Sequence, residues 1–404
     1  MSSLDGNVVV VGLGFGDEGK GAVVDALCAA RPTTAVVRFN GGAQAAHNVV
    51  ADGRHHTFSQ FGAGTFAGVP THLSRFVLVE PFALAAESRQ LEAVGVRDPL
   101  SLLSVDGRAL LTTPFHVHAN RAREDARGDG RHGSCGKGIG ETVWYSLLSG
   151  AAPGDVVESQ EVIGTPGEAP TVADCARPPV LRRKLDALAR FYAPLAVPPH
   201  GVDELVALYH DFADAVRITD GDETGRLADT GRLVFEGAQG VLLDQHHGFH
   251  PHTTWSTTTP HNARELLGGR PHTVLGVTRT YLTRHGAGPL PTESAAVLAR
   301  FPEAHNGTGE YQGAWRAGHL DAALLDYAIA ACDGVDALAV THLDATGLRV
   351  VPGDDSPAVA LPDPVAWFGA RLPVAVTGYG PDRAAYRISE PVAVASGARS
   401  RISA

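Results

Sequence analysis

The 404-residue chain is 44% hydrophobic and 19% charged, which supports a large core and excludes a disordered polymer. A net charge of −11 excludes non-specific nucleic-acid binding, although a small anionic ligand needs only a local basic site. Four scattered cysteines without CxxC spacing exclude a zinc ribbon or disulfide framework. No apolar run is long enough for a bilayer, and no basic-then-apolar segment opens the sequence, so a cytoplasmic protein without membrane partners is expected.

Val8–Val11 is an apolar run that predicts a buried strand, and Ala22–Leu27 predicts the first turns of a helix. Between them lies Gly12-Leu13-Gly14-Phe15-Gly16-Asp17-Glu18-Gly19-Lys20-Gly21. A strand, a glycine-rich turn and a helix start form an anion site, because bare N–H groups and the positive helix end converge there. Gly14-x4-Gly19-Lys20 is nearly the phosphate loop of nucleotide hydrolases. Gly21 stands where that motif has Ser or Thr, so no hydroxyl is available for Mg²⁺. Asp17 is the expected replacement, since a carboxylate beside phosphates needs a metal or a proton transfer. A helix-capping carboxylate is the bland alternative.

Ala35–Phe39 predicts a second strand, which runs into Asn40-Gly41-Gly42-Ala43-Gln44-Ala45-Ala46-His47-Asn48. Strand alternating with helix predicts a parallel α/β sheet, with both loops at the carboxyl ends of their strands. Phe76–Val79 predicts another strand and Pro81–Val94 a helix. Gly128–Gly140 is glycine-rich and reads equally as a ligand loop or a surface turn. Residues 151–181, rich in Pro, Gly and acid, predict a surface excursion. Val202, Leu205, Val206, Leu208, Tyr209, Phe212 and Val216 recur at helical spacing and predict core packing. Leu233–Phe235, Thr273–Val277, Ala337–Val340 and Val374–Val376 predict strands that each end in a loop dense in glycine and polar residues. No internal repeat is visible, and 1–404 is read as one domain with elaborated connections.

Several motifs occur in one order: Gly16–Gly21, the loop ending in His47, Phe235-Glu236-Gly237-Ala238-Gln239-Gly240, and Thr283-Arg284 with Gly286–Pro289. Pro291-Thr292-Glu293, Thr341-x-Leu343-Asp344 and Gly380-Pro381-Asp382-Arg383 follow. Together they resemble adenylosuccinate synthetase over about residues 7–385. The resemblance implies a P-loop-like, three-layer α/β fold with a large, mainly parallel central sheet, usually as a homodimer. It implies a GTP-dependent ligase that joins the amine of aspartate to the carbon bearing the 6-oxo group of IMP, with Mg²⁺. A ring amide oxygen cannot leave until it is phosphorylated, and a base must first take the ring N–H proton. Asp17 resembles that base and would also reach the metal. His47 resembles the acid that stabilises the phosphoryl group in flight. Gln239 resembles the side chain that bonds the purine edge, and Lys20 with the loop amides would cradle phosphates. The Ala46 carbonyl would be a second Mg²⁺ ligand. The implied GTP site is Gly16, Asp17, Glu18, Gly19, Lys20, Gly21, Ala46, His47, Asn48, His342, Leu343, Asp344, Gly378, Gly380 and Pro381. Asp344 would accept from the guanine ring N–H and amino group.

The departures concern the other two substrates. Gln44 replaces the family's Asn, a phosphate contact, and Cys135, beside Ser134, replaces a Thr that also holds the 5′-phosphate. Thr254 matches a third phosphate contact, but no arginine occurs near Ser146–Gly150, where the partner subunit's should fall. In the amine-donor loop, Asn306–Asp321, Thr308 remains and Arg316 is the single arginine; Glu310 adds repulsion to a carboxylate, and Arg284 is the other candidate clamp. His342 replaces a Lys beside the guanine-binding Asp, and the segment from Asp344 to Gly380 is much shorter than in the family. These changes predict a purine-like acceptor and an amino compound other than the usual pair, with the ordinary IMP and aspartate enzyme and a non-catalytic GTP-binding protein as alternatives. His246, His247, His250 and His252 are read as a pocket-lining loop, not a zinc site.

Overall fold

Val8–Val11 lies at the middle of the molecule. The computed structural model describes residues 4–150, 162–302, 309–353 and 356–389. Strand β1 (Asn7–Gly12) is buried on both faces, as a central parallel strand must be. Among the described residues it belongs to a ten-stranded sheet. The strand order is Tyr386–Ile388, Val374–Gly378, Ala337–Thr341, His272–Arg279, β1, Leu233–Glu236, β2 (Ala35–Arg38), Thr71–Leu73, Leu103–Asp106 and Arg217–Thr219. Every neighbouring pair is parallel except the edge strand Tyr386–Ile388, which runs antiparallel to Val374–Gly378. The expected large, mainly parallel sheet is therefore present.

Alternation along β1 divides the core. Val8 and Val10 pack with Val23, Val24 and Leu27 of helix α1 (Lys20–Ala30) on one face. Val9 and Val11 pack on the other with Leu266 of helix His261–Leu267 and Leu325 of helix Ala322–Ala331. Helices cover both faces, which gives three layers.

The strand expected at Phe76–Val79 is a correction. Only Leu78–Val79 is extended, and it pairs with Leu110–Leu111 in a separate ladder. The large sheet uses Thr71–Leu73 instead, where His72 bonds Ser104 on the next strand at 3.0 Å. Helix Pro81–Ala93 forms as expected, begun by a proline and by the Glu80 carboxylate, which accepts from the Phe82 and Ala83 amides. In helix Val202–Ala215 the apolar stripe buries Leu205, Val206 and Tyr209 but leaves Leu208 exposed. The excursion expected over 151–181 is corrected in its last third. Residues 151–161 lie outside the described residues, but Val172, Cys175 and Leu181 are fully buried, and the Pro170 carbonyl accepts from the Leu111 amide.

Because the central strands are parallel, the loops after β1, β2, Ala337–Thr341 and Val374–Gly378 open on one side of the sheet.

Candidate active site

One cleft gathers residues from all four loops. Gly16, Asp17, Gly19, Lys20 and Gly21 line it from the first turn, and Ala46, His47 and Asn48 from the loop after β2. His342, Asp344, Gly380 and Pro381 complete the far side, with Arg279 and Tyr386. The cleft holds about 870 Å³ including its open mouth, room enough for a nucleotide. Residues 17 and 47, on different strands' loops, thus face one space.

Local geometry explains the glycines. Helix α1 starts after Gly19, at φ 92°, with no side chain capping it, so Asp17 is not a cap and is free to face the cleft. A Cβ on Gly21 would sit 2.6 Å from the His47 Cβ, so a Ser or Thr there would push the two loops apart. Lys20 Nζ donates to the Gly16 carbonyl at 2.6 Å and to Glu18 Oε2 at 2.7 Å. The other Glu18 oxygen accepts from the Gly16 amide at 2.7 Å. Glu18 is buried and does not line the cleft; its side chain braces the turn from within. Leu343 and Gly378 also miss the cleft wall; the Leu343 amide donates to the Gly378 carbonyl at 2.9 Å and ties the two loops together.

Burial raises the Asp17 pKa to about 6, with the Glu18 charge adding to the rise and Lys20, Arg279 and His285 opposing it. A carboxylate titrating there is matched to base catalysis near neutrality. Among the described residues no group of three or more His, Cys, Asp or Glu is placed to hold a metal. Mg²⁺ needs no such cage: it takes one or two carboxylates and fills its octahedron with phosphate oxygens and water. Asp17 and Ala46 on one cleft wall fit that donor set.

His47 Nδ1 meets Glu236 Oε1, and Glu236 Oε2 accepts from the Ala63 amide at 2.9 Å. Burial alone would raise the Glu236 pKa, but the Arg38 charge and the bond from His47 hold it below the usual carboxylate range. Glu236 is therefore ionised, Nδ1 is its donor, and Nε2 is the nitrogen left to act. Burial in turn lowers the His47 pKa, against the pull of Glu236. His342 is also driven well below its ordinary value, first by burial and then by the Arg279 charge.

Gln239 joins the phosphate turn directly: a Cβ on Gly16 would lie 3.4 Å from the Gln239 Cα. Gln239 Oε1 and Gln44 Nε2 approach the same point beside Gly41, 3.3 and 3.5 Å from where its Cβ would be. Gln239 Oε1 and both amide atoms of Gln44 are buried without a partner in the protein. Ser134 instead bonds Asn120, at 2.9 Å, and burial raises the Cys135 pKa, so that thiol stays neutral. The Thr254 amide donates to the Leu243 carbonyl at 2.8 Å. The loops carrying Ser134 and Thr254 are joined through His252 Nδ1 and the His132 carbonyl, 3.2 Å apart.

A second cavity, of about 900 Å³ including its mouth, lies between Gly128–Gly133 and the hairpin formed by Leu282–His285 and Trp315–Gly318. Gly286, Ala287, Glu310, Tyr311 and Arg316 line it.

A sequence model of the adenylosuccinate synthetase family matches residues 9–350. The chain is 33% identical over 356 residues to the adenylosuccinate synthetase of Neisseria gonorrhoeae, covering 84% of this chain and 77% of that protein. It is 35% identical over 365 residues to that of Methylibium petroleiphilum, covering 84% and 76%. The chain belongs to the adenylosuccinate synthetase family. It is thereby a GTP-dependent carbon–nitrogen ligase by type. The fold is similar to that of fully ligated adenylosuccinate synthetase from Plasmodium falciparum, at TM-score 0.78 and 20% identity over 95% of this chain and 99% of that one. It is also similar to cyanophage S-2L succinoaminodeoxyadenylate synthetase bound to dGMP and dATP as an energy donor, at TM-score 0.62 and 19% identity over 96% of each chain.

The arginines expected to meet the amine donor make hydrogen bonds within the protein. Arg316 does line the second cavity, but its guanidinium is already engaged: it pairs with both oxygens of Glu293 and donates to the carbonyls of Gly286 (3.1 Å) and Gly288 (2.7 Å). Arg284, buried, donates to the carbonyls of Ala287, Pro289 and His252. Thr308 lies outside the described residues. Helix Ile139–Gly150 carries no arginine.

Two functional candidates escaped the sequence. Glu236 is 189 residues from His47, and only a histidine needing a carboxylate to orient it would have pointed there. Arg279 donates to the Asp17 carbonyl at 3.0 Å and to Tyr281 Oη at 2.5 Å, but its strand reads simply as apolar core.

Proposed function

We propose that this protein uses GTP to phosphorylate the oxo oxygen of a purine-like cyclic amide, then lets an amine displace the phosphate. The observation that carries this reading is the shared cleft of Asp17, Lys20 and His47. Asp17 takes the ring N–H proton, and the oxygen attacks the terminal phosphoryl group of GTP. Lys20 leaves Glu18 for the phosphates, and His47, held by Glu236, stabilises the phosphoryl group through Nε2. Gln239 and Gln44 supply the unpaired amide atoms for the acceptor ring. Asp344 takes the guanine edge, with Gly380 and Pro381 beside it. Mg²⁺ on Asp17 and Ala46 would neutralise phosphate charge.

The acceptor and the donor differ from the usual pair in this proposal. Cys135 offers only a weak donor to a 5′-phosphate, helix Ile139–Gly150 carries no arginine, and Arg316 and Arg284 make hydrogen bonds to protein partners. The chain acts as one unit, as a cytoplasmic homodimer of the family's kind. Phosphate release from GTP, measured with purine nucleotides, nucleosides and bases against a panel of amino compounds, tests this. Turnover with a nucleoside or base and a donor other than aspartate supports it.

A second reading, the ordinary purine-biosynthetic enzyme, is favoured by the 33% identity over most of the chain. Strong stimulation by IMP plus aspartate decides for that reading.

A further inference from the structure

Among the described residues, two side chains of fixed positive charge line the nucleotide cleft, Lys20 and Arg279. Lys20 is paired with Glu18 at 2.7 Å. Arg279 is only 6% exposed, yet its described hydrogen bonds all end on neutral oxygens. Nη1 donates to the Asp17 carbonyl at 3.0 Å and to Thr283 Oγ1 at 3.3 Å, and Nη2 donates to Tyr281 Oη. A guanidinium carries five N–H donors, so two remain, and Nε is buried without a partner. A buried cation without a counter-charge is costly, and one on a cleft wall is matched to an anion that arrives with the ligand.

The sheet fixes where that anion would lie. Arg279 ends the strand His272–Arg279, which runs between β1 and Ala337–Thr341. It stands in register with Thr341, whose hydroxyl donates to the Glu18 carbonyl at 2.7 Å. The guanidinium therefore sits at the carboxyl end of the sheet, with the phosphate turn on one side and His342 and Asp344 on the other. Two rings hold it there: its central carbon is 4.5 Å from the centre of Tyr281 and 5.8 Å from that of Trp315. The fork is thus oriented before any ligand binds.

We propose that Arg279 is a nucleotide-binding residue, supplying the second positive charge, beside Lys20, for the phosphate oxygens of a guanine nucleotide. This rests on the GTP-dependent reading above. In that reading the phosphates start at the turn and the base ends at Asp344, and Arg279 stands between the two. Its remaining N–H donors make charge-assisted bonds to phosphate oxygens. The bond from Nη1 to the Asp17 carbonyl then ties the bound phosphates to the turn that carries Asp17.

The test uses the full chain with Mg²⁺ and no acceptor. GDP binding is measured by calorimetry. Guanosine, with the same base and no phosphate, is measured by ligand-observed NMR, which reads millimolar affinities. The wild type is compared with Arg279→Met and Arg279→Gln, which remove the charge, and with Arg279→Lys, which keeps it without the fork. We expect GDP affinity to fall about 10-fold or more in the Met and Gln variants and less in the Lys variant, with guanosine affinity changing less than about twofold. Equal losses with GDP and guanosine, as a mere brace of the turn would give, overturn the proposal, and so does unchanged GDP affinity. Where one neutral variant fails to fold, the ratio of GDP to guanosine affinity in the other decides. A wild type that binds GDP no more tightly than guanosine overturns the GTP reading itself, an outcome distinct from equal losses in the variants.

Discussion

His47 Nδ1 lies 2.5 Å from Glu236 Oε1, so the end of one strand orients the loop that leaves another. The carboxylate fixes the tautomer and supports a positive ring when phosphoryl oxygens approach Nε2. Glu236→Gln keeps the size and the bond to the Ala63 amide but removes the charge. We expect kcat to fall about 100-fold with KM for GTP nearly unchanged, measured by steady-state phosphate release.

Asp17→Asn should abolish turnover, a loss of about 1,000-fold or more, while GTP binding measured by calorimetry survives. Its stability effect has a definite sign. The native pKa is about 6 against an ordinary 3.8, so the folded state binds its proton more tightly than the unfolded chain. Stability from this group is present below about pH 4 and is lost as pH rises through about 6. The nucleotide-free Asn variant should therefore melt higher than the wild type at about pH 7.5, with the gap closing toward about pH 4.

Arg383 bonds both oxygens of buried Asp25, at 2.6 and 2.7 Å, and also reaches Asp52. This clamp ties the Gly380–Arg383 loop to helix α1, and through it the two walls of the cleft. Arg383→Ala strands a buried carboxylate and should cost about 3 kcal/mol in denaturant melts. Burial already raises the Asp25 pKa against the pull of Arg383, so the loss should be larger at about pH 8 than at about pH 5.

Asp344 lies exposed at the cleft rim, where only a ligand with N–H donors gains from it. Asp344→Ala should weaken GTP by about 1.5–3 kcal/mol and leave ATP unchanged, as thermal-shift titration of both nucleotides will show.

The central strands were legible because they are unbroken apolar runs: β1, Leu233–Glu236, His272–Arg279, Ala337–Thr341 and Val374–Gly378 all contain the run that predicted them. Thr71–Leu73 was not, since three residues with Thr and His buried by mutual pairing carry no periodic signal. Leu78–Val79 misled because apolar content does not say which ladder a strand joins. At the site, contiguous motifs placed Asp17, Lys20 and His47 together, because glycine-rich turns announce themselves locally. Glu236 and Arg279 meet the site through partners on other strands, and spacing along one chain cannot reveal such contacts. The commitment of Arg316 to Glu293 was invisible for the same reason.

Transfer of the acceptor's own oxygen to phosphate is the chemical event on which the account stands. An acceptor labelled with oxygen-18 at its oxo position, incubated with GTP, Mg²⁺ and the active donor, gives phosphate whose label is read by ³¹P NMR. The account predicts one oxygen-18 in each phosphate released with product. Unlabelled phosphate would show that water, not the acceptor oxygen near Asp17, takes the phosphoryl group, and would contradict it.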